Sequence, residues 1–491
     1  MKALFPSREG HFSLRRIRGI YVIRRRACSV TSERCIGELG ARCLSTLNRK
    51  QDSVQQSQYR SAHRPILVHI TSFWACILIS GEMRVKALRC TTFVVSFISL
   101  LRAGLSLLAL DPKPMHWTQL LSDRRLGADR AERPQSRGWA RSDFERDYDR
   151  LVFSPAFRRL QNKTQVFPLP GNIFVHNRLT HSLEVSCLGR SLGNIVGDCL
   201  AGRHPKAQEI PFRSGISAIV SAACLAHDMG NPPFGHSGER AISAYFKEGN
   251  GQRWEELVKA EGGRWEDFLL FEGNANAFRL LTHQFKGRRS GGFALTYSTI
   301  ASIIKYPYSS LSAQGKNKFG FFATEEETIR EVATELGLKQ LGEDPLRYAR
   351  HPLVYLVEAA DDICYQIMDI EDAYKLHILS FDEARDLLEA FFTEEELRGI
   401  RRVASSIGDP NERIGYLRSK VINLLVEEAA SVFLDSEETI LSGRYTGTLV
   451  QHLSPRSYEA YRVCSEMAHE RIYSAHGVVD VELAGHRIFS A

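Results

Sequence analysis

The sequence predicts an all-α protein, a helical bundle with additional helical segments. Apolar residues recur at helical spacing through most of the chain after residue 114. Strand signals are few and short, and the chain contains no internal repeat or low-complexity tract. A hydrophobic content of 43% and a charged content of 25% are typical of globular proteins. The length of 491 residues alone suggests two or three domains.

Residues 1–114 differ in composition from the rest of the chain. Residues 1–110 contain 18 Lys and Arg against 5 Asp and Glu, with no clean helical period. A membrane span over 91–110 is one explanation, but Arg102 opposes it because a central arginine costs roughly 2.5–3.5 kcal/mol. An organellar transit peptide is a second. We favour a third, an Arg-rich leader translated from a misplaced start, and expect the folded body to occupy 115–491.

The charge distribution and the cysteine content limit which classes of partner and which cellular compartment fit the sequence. Beyond residue 110 the chain has 46 basic and 52 acidic residues, so the net charge of +7 comes from the leader. That charge is therefore no evidence for nucleic-acid binding by the body. Ten cysteines occur without a CxxC pair. This pattern disfavours a disulfide framework or a zinc ribbon and favours a reducing, cytoplasmic location.

The body is predicted to contain a core at about 141–376 and a helical C-terminal part at 377–491. The helices predicted from periodicity are 141–160, 177–200, 215–225, 266–282, 291–307, 352–376, 382–404 and 409–435. Thr180 or Ser182 is expected to cap the second helix, which places His181 in its first turn.

The stretch from Ala226 to Glu239 is the one around which the body is organised. The preceding uncharged run, 215–225, predicts a buried helix. His227 and Asp228 follow at its end, where an unpaired buried carboxylate would be very costly. A divalent metal ion is the simplest partner for an imidazole and a carboxylate together.

A break follows this pair at once. Gly230-Asn231-Pro232-Pro233 ends the helix, because proline supplies no N–H and restricts the residue before it. The break is expected to turn His236 and Glu239 back over the same place. The alternative, which the His-Asp pair alone favours, is a core histidine beside a helix-ending turn.

Two further stretches offer metal ligands, namely His181 and an aspartate near residue 361. Asp361, Tyr365 and Asp369 fall at i, i+4 and i+8, so they share one helix face. Acidic residues on a helix usually form its solvated face. This helix is strongly apolar between its acids, so we expect the acids to have a function.

The order His, His-Asp, Asp resembles the HD-domain phosphohydrolases, and the expected fold is accordingly an HD-domain helical bundle. The likeness narrows to the deoxyguanosine triphosphate triphosphohydrolase branch and covers about 115–491. The stretches that carry it run from Phe157 to Phe167, Arg178 to His181, His227 to His236 and Glu358 to Tyr365. Several linked motifs make the likeness specific.

The resemblance implies a role for each matching residue. The implied metal ligands are His181, His227, Asp228 and Asp361. The implied catalytic pair is His236 and Glu239. The residues implied to hold the deoxyribose are Gln165, Tyr365 and Asp369, and those implied to contact phosphate are Arg178 and Lys305. Asn276 departs from the glutamine that the family pattern predicts, which affects a secondary pocket contact.

The implied reaction is metal-dependent hydrolysis of a deoxynucleoside triphosphate to a deoxynucleoside and tripolyphosphate. We expect Mg²⁺ or Mn²⁺, or another transition metal, as the cofactor. Alternatives are another HD phosphohydrolase, such as a nucleotidase or single-strand nuclease, and an inactive regulatory or nucleic-acid-binding subunit. The expected partners are deoxynucleoside triphosphates, a homo-oligomeric assembly and single-stranded nucleic acid, with no membrane. Residues 479–489 resemble a point after which the family continues in helices, so a truncated C-terminus is expected.

Overall fold

The computed structural model describes residues 13–17, 20–24, 114–128, 141–167, 175–205, 211–287, 290–313 and 317–490. The chain divides into two units, Met1–Ala109 and Leu110–Ala491. In the first, strands β1 (Ser13–Ile17) and β2 (Ile20–Arg24) pair antiparallel. The candidate membrane span at 91–110 lies outside the described residues, and the assignment of 1–114 as a leader stays a prediction.

The second unit is helical, which confirms the predicted fold class. Its N-terminal helices are α1 (Trp117–Leu120), α2 (Asp143–Val152), α3 (Pro155–Arg158), α4 (Arg178–Arg203), α5 (Phe212–Ala226), α6 (Gly235–Lys247), α7 (Glu255–Ala260), α8 (Glu266–Leu269), α9 (Gly273–Thr282), α10 (Tyr297–Ile303) and α11 (Glu326–Leu336). A hairpin of β3 (Gln340–Glu343) and β4 (Leu346–Tyr348) follows. The remaining helices are α12 (Val354–Lys375), α13 (Phe381–Glu389), α14 (Glu394–Ser406), α15 (Pro410–Asp435), α16 (Glu437–Leu441), α17 (Pro455–Met467) and α18 (His476–Ser490).

Helix α5 lies in the core, as the uncharged run 215–225 within it predicts. Twelve of its 15 residues are buried, and a helix that is apolar on all sides belongs inside a protein. Ile216, Ile219 and Val220 are fully excluded from solvent. Each such side chain contributes about 1.5–3 kcal/mol on burial.

Helices α4 and α5 pack antiparallel at close range. Gly189, Gly193 and Gly197 recur every fourth residue along the face of α4 that meets α5. A β-carbon on Gly193 would lie 2.7 Å from the Cα of Ser217, so this approach requires glycine. The antiparallel pairing places the beginning of α4 beside the end of α5.

Helix α12 packs against α4, α5 and α15. Its acids are largely buried, including Glu358, Asp369, Glu371 and Asp372. The alternative of a solvated acidic face is therefore wrong for this part of the helix.

The predicted helix 141–160 is broken in the structure. Helix α2 ends at Val152, and α3 starts anew because Ser154 accepts a hydrogen bond from the Phe157 amide at 3.1 Å. Pro155 supplies no N–H and occupies the first position of α3, which suits proline.

Two other predicted helices are split, each at a residue that caps a new helix. The predicted 266–282 becomes α8 and α9, since the Glu272 carboxylate accepts from the Asn274 amide at 2.6 Å. The predicted 382–404 becomes α13 and α14, since Thr393 forms a capping box with Glu396. None of the helices in the described part of the chain combines the length and the hydropathy that a bilayer crossing requires.

Candidate active site

The start of α4 is fixed by an asparagine cap. The Asn177 side chain accepts hydrogen bonds from the amides of Leu179 and Thr180, both at 3.0 Å. The Thr180 hydroxyl in turn accepts from the Asn177 amide at 3.1 Å. The prediction of Thr180 or Ser182 as the cap is wrong, because Asn177 and Thr180 together form the capping box. His181 nevertheless lies in the first turn of α4, as predicted, and is buried.

Three predicted metal ligands from separate helices lie together. Asp361 Oδ1 lies 3.1 Å from His181 Nε2 and 3.4 Å from His227 Nε2. The three ligand atoms are all within 4.8 Å of one another. The Nδ1 atom of His227 donates to the Cys224 carbonyl oxygen at 2.6 Å, so the other ring nitrogen, Nε2, faces Asp361. Nε2 would be the ligand atom once a divalent ion displaces its proton. The donor set and its spacing fit a divalent ion.

Asp228, the fourth predicted ligand, lies next to these three residues. Its Oδ1 is 3.6 Å from His227 Nε2. Arg178 donates to Asp228 Oδ2 at 2.5 Å, and the Asn231 amide donates to Oδ1. Adjacent residues at the end of a helix point in different directions, which is why His227 and Asp228 have different partners.

Neighbouring charges shift the pKa values of two residues in this cluster, His227 and Asp361. Burial would lower the pKa of His227, but the charges of Asp228 and Asp361 raise it to about 9. Burial would raise the pKa of Asp361, but His227 and His181 hold it well below its usual value. The carboxylate of Asp361 is therefore ionised at neutral pH, as a metal ligand must be.

The turn after Pro232-Pro233 presents the predicted catalytic pair. Phe234 and Gly235 both have positive φ, 65° and 52°, and α6 begins there. His236 Nδ1 lies 2.8 Å from Glu239 Oε2. The His236 side chain is 71% exposed whereas that of Glu239 is 9% exposed, so the imidazole projects from a buried anchor.

Glu239 is held on several sides. Its Oε1 accepts from the Gly273 amide at 2.8 Å, and the Lys318 ammonium lies 3.6 Å from its Oε2. Burial would raise the pKa of Glu239, but the hydrogen bond from His236 and the charges of His236 and Lys318 lower it. Glu239 is therefore a fixed, ionised acceptor for the His236 ring.

Tyr365 and Asp369 lie one and two turns after Asp361 on α12, in the predicted order. The Tyr365 ring meets the His181 ring edge to face, with centroids 6.2 Å apart. Asp369 is buried and accepts a hydrogen bond from the Tyr473 hydroxyl at 2.7 Å. Burial raises the pKa of the Asp369 carboxyl well above its usual range. One helix thus carries a cluster ligand and two polar side chains next to it.

The other predicted substrate contacts, Gln165, Arg178 and Lys305, differ in how their polar atoms are paired. Gln165 Oε1 and Arg178 Nε are buried and have no hydrogen-bond partner among the described residues. Lys305 is instead paired, with its Nζ 3.1 Å from Glu358 Oε1. The same carboxylate binds Arg350 at 3.0 Å, so two cations share one anion. Asn276 donates to the Gly230 carbonyl at 2.7 Å and holds the turn after α5.

Lys318 and Glu272 were not found from the sequence. Lys318 Nζ lies 2.8 Å from Glu272 Oε1, which brings a cation into contact with the anchor of His236. Lys318 is far from Glu239 in the chain and belongs to no motif, so no local signal marks it.

His176 was also missed. Its Nδ1 lies 2.7 Å from Asp372 Oδ2 on α12, and its Nε2 lies 2.9 Å from Glu184 Oε1 on α4. These contacts link the segment just before α4 to α12. Burial would lower the pKa of His176, but the hydrogen bonds to the two carboxylates raise it to about 10. Its position just before Asn177 and Arg178 was the signal that could have found it.

The helical scaffold and the His-Asp cluster define an HD-domain protein, a metal-dependent phosphohydrolase. The family model described as "HD domain" matches residues 178–306, which contain His181, His227, Asp228 and His236. The chain is 41% identical over 368 residues to a deoxyguanosinetriphosphate triphosphohydrolase-like protein of Pseudomonas aeruginosa, covering 73% of this chain and 80% of the relative. It is 43% identical over 393 residues to a protein of the same description from Synechocystis sp., covering 76% and 84%.

A third relative is the deoxyguanosinetriphosphate triphosphohydrolase of Yersinia enterocolitica, 32% identical over 399 residues, covering 71% of this chain and 75% of the relative. The chain belongs to the deoxyguanosinetriphosphate triphosphohydrolase-like family. It is therefore a hydrolase of the HD type, and the resemblance found from the motifs is confirmed.

Proposed function

We propose that the chain hydrolyses deoxynucleoside triphosphates, dGTP among them, to a deoxynucleoside and tripolyphosphate. The main support is that Tyr365 and Asp369 occupy the same helix as Asp361, so a candidate sugar pocket adjoins the candidate metal cluster. The names of the relatives point to the same substrate class for those proteins.

His181, His227, Asp228 and Asp361 would hold a divalent ion. When bound, such an ion supplies a Lewis acid that offsets phosphate charge and activates water. Two imidazole nitrogens are softer donors than Mg²⁺ prefers, so we expect Mn²⁺ or another transition metal to bind more tightly than Mg²⁺.

The cations near the cluster would position the phosphates. Arg178 already neutralises Asp228 and has a buried Nε without a partner among the described residues, which makes that atom available to an anion. Lys305 and Arg350 both pair with Glu358, on the same helix as Asp361, so two cations would be available to phosphate oxygens near the cluster. Phosphoryl transfer depends mostly on positioning and charge neutralisation, which these residues can supply.

His236 would act as the general acid. As the water oxygen bonds to the α-phosphorus, the bond to the nucleoside 5′-oxygen breaks. An alkoxide is a poor leaving group, so a proton must reach that oxygen. Glu239 holds His236 Nδ1 at 2.8 Å, which directs Nε2 away from the protein and towards the leaving group.

The sugar would be recognised by Gln165, Tyr365 and Asp369. The buried Gln165 Oε1 has no donor among the described residues, and a sugar hydroxyl can provide one. The Tyr365 ring would pack where a 2′-hydroxyl sits, which selects a deoxyribose. Homo-oligomeric assembly and binding of single-stranded nucleic acid stay predictions.

The test is product analysis. The purified chain is incubated with each dNTP and each NTP in Mn²⁺ or Mg²⁺, and products are separated by ion chromatography. We expect a deoxynucleoside and tripolyphosphate from dNTPs, abolished by a chelator. Release of pyrophosphate or orthophosphate, or cleavage of a single-stranded oligonucleotide alone, would assign the chain to a different HD phosphohydrolase activity. The matched control is the His227→Ala variant under the same conditions.

A further inference from the structure

His176 links the two helices that carry His181 and Asp361, the cluster residues that face each other at 3.1 Å. Its Nδ1 lies 2.7 Å from Asp372 Oδ2 on α12, and its Nε2 lies 2.9 Å from Glu184 Oε1 on α4. The backbone amide of His176 donates to the same Asp372 oxygen at 3.0 Å. The ring therefore lies between one carboxylate from each helix.

The His176 ring is a cation at neutral pH. Burial would lower its pKa, but the hydrogen bonds to Asp372 and Glu184 raise it to about 10. Only an imidazolium donates from both ring nitrogens at once. His176 is therefore a charged bridge between α4 and α12.

The two carboxylates need this cation. The Asp372 side chain is only 4% exposed. Asp372 Oδ1 and Glu184 Oε2 are buried and have no hydrogen-bond partner among the described residues. Without the imidazolium, two acidic side chains would face each other between the helices, and like charges repel strongly where water is excluded. Loss of the bridge should therefore push α4 and α12 apart.

The position of Asp372 gives this bridge an effect on the cluster. Asp372 follows Asp361 by close to three helical turns, so both side chains lie on one face of α12, about 16 Å apart along its axis. Helices α4 and α12 thus meet at two points, through His181 and Asp361 and through His176 and Asp372. A shift of α12 at the second contact changes the separation of the ligand atoms at the first.

We propose that His176 is a positioning residue that holds α4 and α12 at the separation that His181 and Asp361 need to bind one metal ion. Its ring contacts the carboxylates of Glu184 and Asp372 and acts on the two ligands through the helices. The inference rests on the metal centre of the proposed function. It concerns metal affinity, which is measured without any nucleotide.

Four variants separate positioning from stability. His176→Gln removes the charge and one of the two ring donors, whereas His176→Lys restores a cation with several donors. Glu184→Ala removes only the α4 end of the bridge, at a side chain that is 35% exposed, so the fold should tolerate it. His351→Gln is the matched control, because His351 is also buried and instead contacts Leu120 of α1 and Ser302 of α10.

The experiment titrates Mn²⁺ by calorimetry into wild type and each variant, well below their melting temperatures. The kcat and KM for dGTP are then measured at saturating Mn²⁺. For His176→Gln we expect the Mn²⁺ Kd to rise about tenfold. We also expect kcat to fall roughly 10–100-fold with little change in KM, because a small misplacement of the cluster is costly. His176→Lys should recover most of both losses, and Glu184→Ala should show a smaller rise in Kd. His351→Gln should lower the melting temperature while Kd and kcat stay at wild-type values.

Two results would overturn the inference. One is a His176→Gln variant that melts earlier but binds Mn²⁺ as tightly as wild type. The other is a His176→Lys variant that binds as weakly as His176→Gln, because the charge would then have no role. If His176→Gln does not fold, Glu184→Ala decides: a raised Kd supports the bridge, and a wild-type Kd refutes it.

The same titrations separate this inference from the proposed function. A wild type that binds Mn²⁺ but hydrolyses no dNTP contradicts the proposed function, while the Kd values of the variants still decide the role of His176. A wild type that binds no Mn²⁺ refutes both.

Discussion

Replacing His236 by alanine separates chemistry from folding, because the structure makes the two costs very different. The His236 side chain is 71% exposed, so its removal deletes little packing. Substitutions at such positions usually change stability by no more than about 0.5 kcal/mol. The lost hydrogen bond leaves Glu239 with the Gly273 amide and the nearby Lys318 ammonium, so the anchor stays neutralised.

The catalytic cost should be much larger. General-acid catalysis typically contributes ~10²–10⁴-fold, which corresponds to roughly 2.7–5.4 kcal/mol of barrier. We therefore expect His236→Ala to lose about that factor in kcat with nearly unchanged dNTP and Mn²⁺ affinity. Glu239→Gln should lose less, because a glutamine oxygen can still accept from His236 Nδ1 and orient the ring.

The assay is kcat, melting temperature and Mn²⁺ titration on the same preparation of His236→Ala. A stable, metal-binding and slow variant supports the general acid. A variant that melts early but turns over normally per folded molecule would refute it, and His236 would then only support the turn after Pro233. His236→Asn provides a polar replacement of similar length as a control.

The remaining predictions concern the cluster, the C-terminal helix and one buried histidine. His227→Ala and Asp228→Ala should each abolish Mn²⁺ binding and hydrolysis; unchanged metal content in both, measured by atomic absorption, would disprove a metal centre. Gly485→Ala should destabilise the protein by about 1–3 kcal/mol, because a β-carbon would lie 2.5 Å from the Phe234 ring. Gly399→Ala, which has open space around it, should instead stabilise α14 by about 0.5–1 kcal/mol. Equal melting temperatures for the two variants would contradict this prediction. Burial lowers the pKa of His351 to about 4, so the unfolded chain takes up a proton first as the pH falls below about 6.5 and stability declines until about pH 4. Between pH 7 and 5 His351 alone should contribute a loss of about 2 kcal/mol, which is measured in urea unfolding as the difference in pH dependence between wild type and His351→Gln.

The sequence alone was sufficient for features that depend on local periodicity and local breaks. The uncharged run before His227 predicted the buried helix α5, and the Pro232-Pro233 pair predicted the turn that presents His236. The spacing of Asp361, Tyr365 and Asp369 predicted their order along α12. Each of these follows from helix geometry and from the chemistry of proline, so no distant contact is needed to establish it.

Helix boundaries were less well predicted where a capping residue competes with periodicity. Ser154, Glu272 and Thr393 each start a new helix inside a stretch whose apolar spacing continues across the break. A side-chain acceptor for the first amides stabilises the new start by roughly 1 kcal/mol, which is enough to divide a marginal helix.

Only the tertiary structure decided which polar groups meet. Asp228 is next to His227 in the sequence, and the structure adds that its Oδ2 accepts a hydrogen bond from Arg178, 50 residues away. Tyr473 meets Asp369 across 104 residues, and Lys318 meets Glu272 across 46. Such pairs depend on how α4, α12 and the C-terminal segment pack, and that packing is set by the whole core because no local pattern encodes the distance between separate helices.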